Sequence, residues 1–367
     1  MNKFKAFIMV AVLFTISFGS AYVIFGRNLT IQASQPKAPA AGPEGKAVPA
    51  GGLPEDGPEY LYTMGHGAAE GSIGDLYCLK FKELVEAASS GKIRVNVYAG
   101  SQLGTYGEML MNLLTNDIQG MIFQPAPAVS FIPQLAVLDL PYAFLGKTQE
   151  QIDKALNHSE FTEVLDEAFA KAGYKRMSFA QAASFREVTS NRAIYRMEDF
   201  KGLNIRTLEN KYHIAFWRST GANPTPVAFG ELYLSLQQGL VDAQENPYDT
   251  ARAAKFYEVQ KYIVNTHHIL YPNLFIVNKF YYGSMPFTYQ AIFDDCHNKA
   301  KAYAQELMAR GAITEQQKLI DNGLTRIDLH DNELQKLALS AQAAVEPIIR
   351  SDIGDKAVDA FLAALND

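Results

Sequence analysis

The sequence predicts an α/β protein, and three observations carry that reading. Stretches of apolar alternation and stretches of helical periodicity follow one another along most of the chain, which calls for crossover connections and a largely parallel sheet. With 367 residues, 48% of them hydrophobic, there is material for two domains' worth of core. No internal repeat is visible. The formal net charge of −6, with no basic stripe interleaved with aromatics, excludes nucleic acid as a partner.

Lys3 and Lys5 precede an apolar run from Ala6 to Phe25, the layout of an export signal or a signal anchor within 1–32. Gly19-Ser20-Ala21 offers a signal peptidase a small-residue site; uncleaved, about 20 apolar residues suffice to span a bilayer. Either outcome exports the body, and an uncleaved segment tethers it to the inner membrane. From Ala33 to Pro58 the chain is rich in Pro, Gly and Ala without apolar periodicity, and so reads as a linker.

The folded body starts near Glu59. Leu61–Met64 reads as a strand, and a helix starts at Ser72, where Ser72 and Asp75 resemble a capping box. Tyr77, Phe81, Leu84, Val85 and Ala88 form its buried stripe, and Gly91 ends it. Lys92–Tyr98 alternates as a strand, a helix follows over Tyr106–Thr115, and Gly120–Gln124 is a further strand. After Tyr174, strands are expected at Arg176–Ala180, Leu203–Arg206 and Leu240–Glu245, with helices at Asn210–Thr220 and from Phe229 to Gly239. One long helix covers Thr288–Arg310, with Gly311 placed to stop it, and the end is helical near Asn332–Ile349 and Lys356–Leu365. Cys78 and Cys296, the only cysteines, are expected as buried thiols, with a single disulfide between them as the alternative an oxidising compartment allows.

Arg206 stands at the carboxyl end of a strand, where open α/β sheets bind ligands, and its planar fork can hold a carboxylate with two parallel bonds. The alternative is a structural ion pair with an Asp or Glu. Arg186 has the same two readings, with Glu187 and Asp199 as possible partners. Phe229 is either core or a wall against a ligand's carbon skeleton, at the head of a helix whose dipole favours an anion. Asn246, held extended by Pro247, is either a ligand contact or a helix cap. His66 in the loop after the first strand can face a ligand, whereas the adjacent His267 and His268 point opposite ways and cannot form a helical metal pair. The loop GHGAAEG does not fit a dinucleotide fingerprint, and no zinc spacing, nucleophile elbow or phosphate loop occurs, so neither cofactor, metal nor catalysis is expected.

The run GANPTPVAFGELYLSLQQGLVDAQENP, with FKGLNIR and FREVTSNR before it and GKIRVNVYAGSQLG and LDLPYAF upstream, closely resembles the substrate-binding proteins of tripartite ATP-independent periplasmic (TRAP) transporters. The resemblance implies a periplasmic, two-lobed binding protein with mixed sheets, a hinge and a long helix spanning the lobes. One lobe would hold 59–183 with about 272–311, the other 184–271 with about 312–367. It implies a monomer that closes on one small organic acid and delivers it to permease subunits in the membrane. In this likeness Arg206 clamps the substrate carboxylate, Arg186 assists, Phe229 packs on the substrate and Asn246 hydrogen-bonds it. A ligand drives closure only by touching both lobes, so groups from the first lobe such as His66 and Gln124 are expected to engage it too. Where sialic-acid-binding members carry an acidic residue and an arginine, this chain reads Phe123-Gln124-Pro125-Ala126-Pro127, which argues against a sugar acid of that kind. A C4-dicarboxylate or another short organic acid is the expectation. A membrane-tethered sensor of the same fold, or an exported enzyme acting on a small acid, are the rival readings.

Overall fold

The computed structural model describes residues 59–366, apart from the side chains of 180–183, 312 and 313; the signal segment and linker lie outside them. Among the described residues no helix is long and apolar enough to cross a membrane. Two mixed sheets organise the chain into two lobes. The strands are β1 (Tyr60–His66), β2 (Ile93–Tyr98), β3 (Gly120–Phe123), β4 (Tyr174–Phe185), β5 (Glu187–Ser190), β6 (Asn204–Thr207), β7 (Asn223–Pro226), β8 (Ala243–Asn246), β9 (Tyr262–Asn265), β10 (Leu270–Asn278) and β11 (Thr325–Asp328). The first sheet runs β2-β1-β3-β10-β4 and the second β11-β9-β5-β8-β6-β7.

Neither sheet is largely parallel, so that expectation is corrected. β1 pairs in parallel with β2 and β3, but β10 lies antiparallel to both β3 and β4. In the second sheet β6 is parallel to β7 and β8, while β5 is antiparallel to β8 and β9. The antiparallel strands arise because the chain crosses directly between sheets twice, from β4 to β5 and from β9 to β10, before a third, helical passage takes it from β10 to β11. It leaves the first through β4, Arg186 and β5, and returns through β9, Thr266–Ile269 and β10. The crossings are joined where the Arg186 amide donates to the Ile269 carbonyl (2.9 Å) and the Glu187 carboxylate accepts from the Thr266 and His267 amides (2.7 and 2.9 Å). β3 starts at Gly120, which must be glycine: a Cβ there would sit 1.6 Å from the Tyr62 hydroxyl.

The helices are α1 (Ile73–Ala88), α2 (Tyr106–Leu114), α3 (Gln149–Asn157), α4 (Glu160–Lys171), α5 (Lys211–Ser219), α6 (Phe229–Gln237), α7 (Tyr248–Ala253), α8 (Lys279–Ser284), α9 (Phe287–Asp321), α10 (Asp331–Ile353) and α11 (Asp355–Asn366). Ser72 caps α1 through its Oγ, which accepts from the Asp75 amide at 3.4 Å. The Asp75 carboxylate turns instead to the Gly71 amide and His66, so only half of a capping box forms.

The long helix does not stop at Gly311; it continues to Asp321 and ends before Gly323, whose φ is +104°. A mid-helix glycine costs roughly 1 kcal/mol. Continuation brings Leu319 into an apolar cluster with Leu232, Val241 and Ile263, and pairs Glu315 with Arg252 of α7. Phe293, Cys296, Ala300 and Ala304 of the same helix pack with Tyr77, Phe81 and Val85 of α1. One helix therefore touches both sheets' helical layers. Cys78 and Cys296 are free, buried thiols in that second cluster. At the chain's end α10 packs on α5, whereas α11 packs on α3 and α4.

Candidate functional site

The parallel strands β6 and β7 end at a cavity of about 480 Å³ that lies between them and the loop leading into α2. Its walls include Thr105, Tyr106 and Phe131 from the first-sheet side and Arg206, Val227 and Phe229 from the second. Outside the carboxyl ends of parallel strands is where α/β folds place ligands.

Arg206 decides the chemistry of this cavity. It is completely buried, and its Nε–H donates to the Val227 carbonyl at 2.8 Å, fixing the guanidinium against the start of α6. Its Nη1 and Nη2 have no hydrogen-bond partner among the described residues. Burial pushes its pKa down to about 10, opposed by the Glu245 carboxylate and helped by the Arg186 charge, so it remains a cation at neutral pH. Taking a charge out of water without pairing it costs several kcal/mol. The structural ion pair offered as the alternative for this residue does not form. The first amides of α6 add to the positive end, because Ala228 gives that helix no side-chain cap.

Arg186 behaves differently. It is also buried, but it has partners: the Glu245 carboxylate at Nε and Nη2 (2.9 Å for Nη2 to Oε1), the Glu245 carbonyl (2.5 Å) and, through Nη1, the Gln124 Oε1 at 2.6 Å. Neither Glu187 nor Asp199, the partners suggested by the sequence, is its counter-ion. Gln124 in turn donates to the Tyr271 hydroxyl, and the Tyr271 ring lies beneath the Arg186 guanidinium at 5.1 Å. Behind these side chains is a space of only about 10 Å³, enough for one water.

Glu245 and His213 complete a buried charge cluster that the sequence analysis missed. Burial raises the Glu245 carboxyl, but Arg186, His213 and His268 outweigh that and hold it well below the usual range. His213 lies between Asp139 (3.0 Å) and Glu245 (3.7 Å). Burial pushes His213 down, yet Asp139 and Glu245 outweigh it and hold its pKa at about 9, so it is protonated. His268, lowered by burial, is the neutral member. Asp139 also accepts from the Asn210 Nδ2 at 2.7 Å, so the cluster ties the loop after β3 to the start of α5.

A testable consequence follows from His213. Its pKa rises from 6.5 to about 9 on folding. The stability it contributes is therefore complete below pH 6.5 and disappears as pH climbs through about 9, a change of up to ~3 kcal/mol. Urea unfolding at pH 6 and pH 9.5 should show that loss in the natural protein and little of it in His213→Gln; equal losses would contradict it.

Of the six residues named from the sequence, Arg206 and Phe229 line the same cavity. Arg186 and Gln124 are bonded to each other beside it. Asn246 is buried next to Glu245, with its Nδ2 donating to Gln244 (2.6 Å) and its Oδ1 without a partner; it caps no helix. His66 turns inward to Asp75 at 3.1 Å, and lines neither cavity. His267 and His268 do diverge, to Glu187 and Glu245 respectively. Tyr106 could have been found from its place just after Gly104-Thr105, as the first residue of the helix that follows the loop; it forces residue 67 to be small, since a Cβ there would lie 2.7 Å from its hydroxyl. Among the described residues no group of His, Cys, Asp and Glu is arranged to hold a metal ion.

A two-lobed α/β fold with a ligand-sized cavity between its sheets and a buried cation facing it defines a solute-binding protein. The chain belongs to the DctP family, bacterial extracellular solute-binding protein family 7, whose sequence model matches residues 64–352. The resemblance read from the motifs is thereby borne out. A solute-binding protein of Verminephrobacter eiseniae is 31% identical over 252 residues, covering 68% of this chain and 73% of that protein. The sialic acid-binding periplasmic protein SiaP of Vibrio cholerae is 33% identical over 216 residues, 59% of this chain and 66% of its own length. Among solved structures, a TRAP periplasmic solute-binding protein of Roseobacter denitrificans with bound L-galactonate superimposes with a TM-score of 0.74 at 26% identity, covering 80% of this chain and 99% of the other.

Proposed function

We propose that this protein captures a small organic acid in the cavity beside Arg206 and delivers it to the membrane subunits of a TRAP-type transporter. The observation that carries the reading is the buried Arg206 fork, whose Nη1 and Nη2 have no hydrogen-bond partner among the described residues. A carboxylate would supply both missing acceptors at once, with the free amides of α6 beside it. Phe229 then packs on the carbon skeleton. Arg186 acts from behind, holding Glu245 and Gln124 in place, and Asn246 offers its unpartnered Oδ1 once the ligand or a water reaches it.

Closure follows from where these groups sit. We take 59–183 with about 272–311 as one lobe and 184–271 with about 312–354 as the other, α11 joining the first because it packs on α3 and α4. The two crossings at Arg186 and Thr266–Ile269 are the hinge. Gln124, Ala126 and Asp139 from one lobe bond Arg186, Asn210 and His213 from the other, and we read these bonds as belonging to a closed form. A ligand shifts the equilibrium toward it only by binding it better than the open form. Relatives supply the transport context: proteins named for binding 2,3-diketo-L-gulonate in Escherichia coli and C4-dicarboxylates in Shewanella loihica are similar to this chain. The protein acts as an exported monomer, tethered if its N-terminal segment is not cleaved.

The test is a thermal-shift screen of organic acids and sulfonates followed by small-angle scattering. The reading expects at least one carboxylate to raise the unfolding temperature in proportion to the logarithm of its concentration and to make the particle more compact. A library without a binder, or binding with no compaction, would contradict it.

A further inference from the structure

The cavity beside Arg206 is electrostatically lopsided, and this bears on the class of acid it accepts. At its inner end the buried cluster holds three cations, Arg186, Arg206 and His213, against two carboxylates, Glu245 and Asp139. One positive charge is left over, and it belongs to the residue whose donors are unpartnered. The cavity lining itself contains the exposed Glu108, Glu209 and Glu231, and Arg206 is the only cation among all the lining residues described.

The two helices that begin at the cavity differ in their caps, although each carries a glutamate in its first turn, Glu231 in α6 and Glu108 in α2. α6, beside Arg206, has no side-chain cap, so its first amides are open to an anion. α2, on the opposite wall, is closed by its own residues: the Glu108 Oε2 accepts from the Thr105 amide (2.7 Å) and hydroxyl (2.9 Å), and the Thr105 hydroxyl accepts from the Glu108 amide (3.3 Å). An anion at that end would meet an already satisfied helix start carrying a carboxylate. The remaining polar side chains of the lining include the carboxylates of Glu209 and Glu231, both exposed, which only accept, and the hydroxyls of Ser101 and Ser130, which accept or donate.

We propose that the site selects monocarboxylates whose far end donates hydrogen bonds, hydroxy or amino acids, and disfavours dicarboxylates of the same length, with Glu209 and Glu231 as the specificity-determining residues. The inference rests on the proposed function, since it takes Arg206 as the carboxylate clamp. It narrows the expectation of a C4-dicarboxylate or another short organic acid to the second of these. One surplus charge neutralises one carboxylate; a second carboxylate would lie unpaired within a Debye length, about 8 Å, of like charges in a partly desolvated space.

The experiment is calorimetric titration of the full exported chain with succinate, 4-hydroxybutyrate and 4-aminobutyrate, and with their six-carbon counterparts. The hydroxy or amino member of a set is expected to bind at least tenfold more tightly than its diacid. The Glu209→Gln/Glu231→Gln double variant, altered only at exposed positions, should narrow that ratio at least threefold. A diacid that binds as tightly as its partners, or a ratio unmoved by the double variant, overturns the proposal. If the diacid wins and Arg206→Lys still weakens it, the clamp stands and only the charge inference falls. If no acid of either set binds, this inference falls while the library screen still decides the proposed function; if Arg206→Lys leaves binding unchanged, the proposed function fails and this inference with it.

Discussion

Arg206→Lys is expected to weaken binding of the carboxylate ligand at least tenfold, and Arg206→Ala to weaken it further. Lysine keeps the charge but loses the planar fork, and it also loses the Nε–H that anchors the side chain to the Val227 carbonyl at 2.8 Å. Truncating one partner of a buried, hydrogen-bonded charge pair costs about 2 to 5 kcal/mol, which corresponds to roughly thirty- to several-thousandfold in affinity. Titration calorimetry checks the effect; unchanged affinity would contradict it. The same residue should carry an opposite effect on stability. Without ligand its Nη1 and Nη2 are buried and unpartnered, so Arg206→Met is expected to raise the unfolding temperature of the ligand-free protein while abolishing binding. A site that holds an unpaired cation in readiness is less stable than its apolar substitute.

Glu245→Gln is the second change expected to have a large effect, this time on folding. Glu245 is fully buried and answers Arg186 at two nitrogens, His268 at 3.2 Å and His213 at 3.7 Å. Removing its charge leaves Arg186 without a counter-ion next to the already unpaired Arg206. Breaking a buried pair from one side costs about 3–5 kcal/mol, and for a chain of this size the midpoint of thermal unfolding should drop by roughly 10 °C. Arg186→Met combined with Glu245→Gln should recover part of the loss, because the stranded charge is gone. Differential scanning calorimetry of the two variants decides it: a single variant as stable as the natural protein would show that Glu245 does not neutralise Arg186.

The elements that could be read from the sequence are those whose burial pattern is local. Ile93 and Val95 alternate with exposed Arg94 in β2, and Tyr77, Phe81 and Val85 recur at helical spacing in α1. Residues 149–171 were passed over, although Thr148 and Gln151 form a capping box that marks the start of α3. β7 was invisible for a physical reason: Asn223-Pro224-Thr225-Pro226 contains two residues that cannot donate to a ladder, which is tolerable because β7 is the edge of its sheet. The extent of the long helix was misjudged because Gly311 is a stop only where the chain needs a positive φ, and that need arises at Gly323.

The site shows the same division between local and distant information. Arg206 and Phe229 could be picked out because both stand at the ends of regular elements, β6 and α6, whose boundaries have local signals. The partner of Arg186 could not, since Glu245 is 59 residues away and meets it only because β5 and β8 lie side by side, Val188 opposite Glu245. His66 misled for a related reason: a histidine in a loop looks available until Asp75, a turn into the next helix, folds back to hold its Nε2. Counter-ions set by sheet order are tertiary facts, and they decide which of two buried arginines is paired and which lines the cavity with its fork unpartnered.

The most direct test of that distinction is a crystal structure with the captured acid in place. The account expects one carboxylate of the ligand to receive hydrogen bonds from both Nη1 and Nη2 of Arg206, with Arg186 still bound to Glu245 and Gln124. A ligand whose carboxylate is held by Arg186, with the Arg206 fork left empty or turned away, would contradict it.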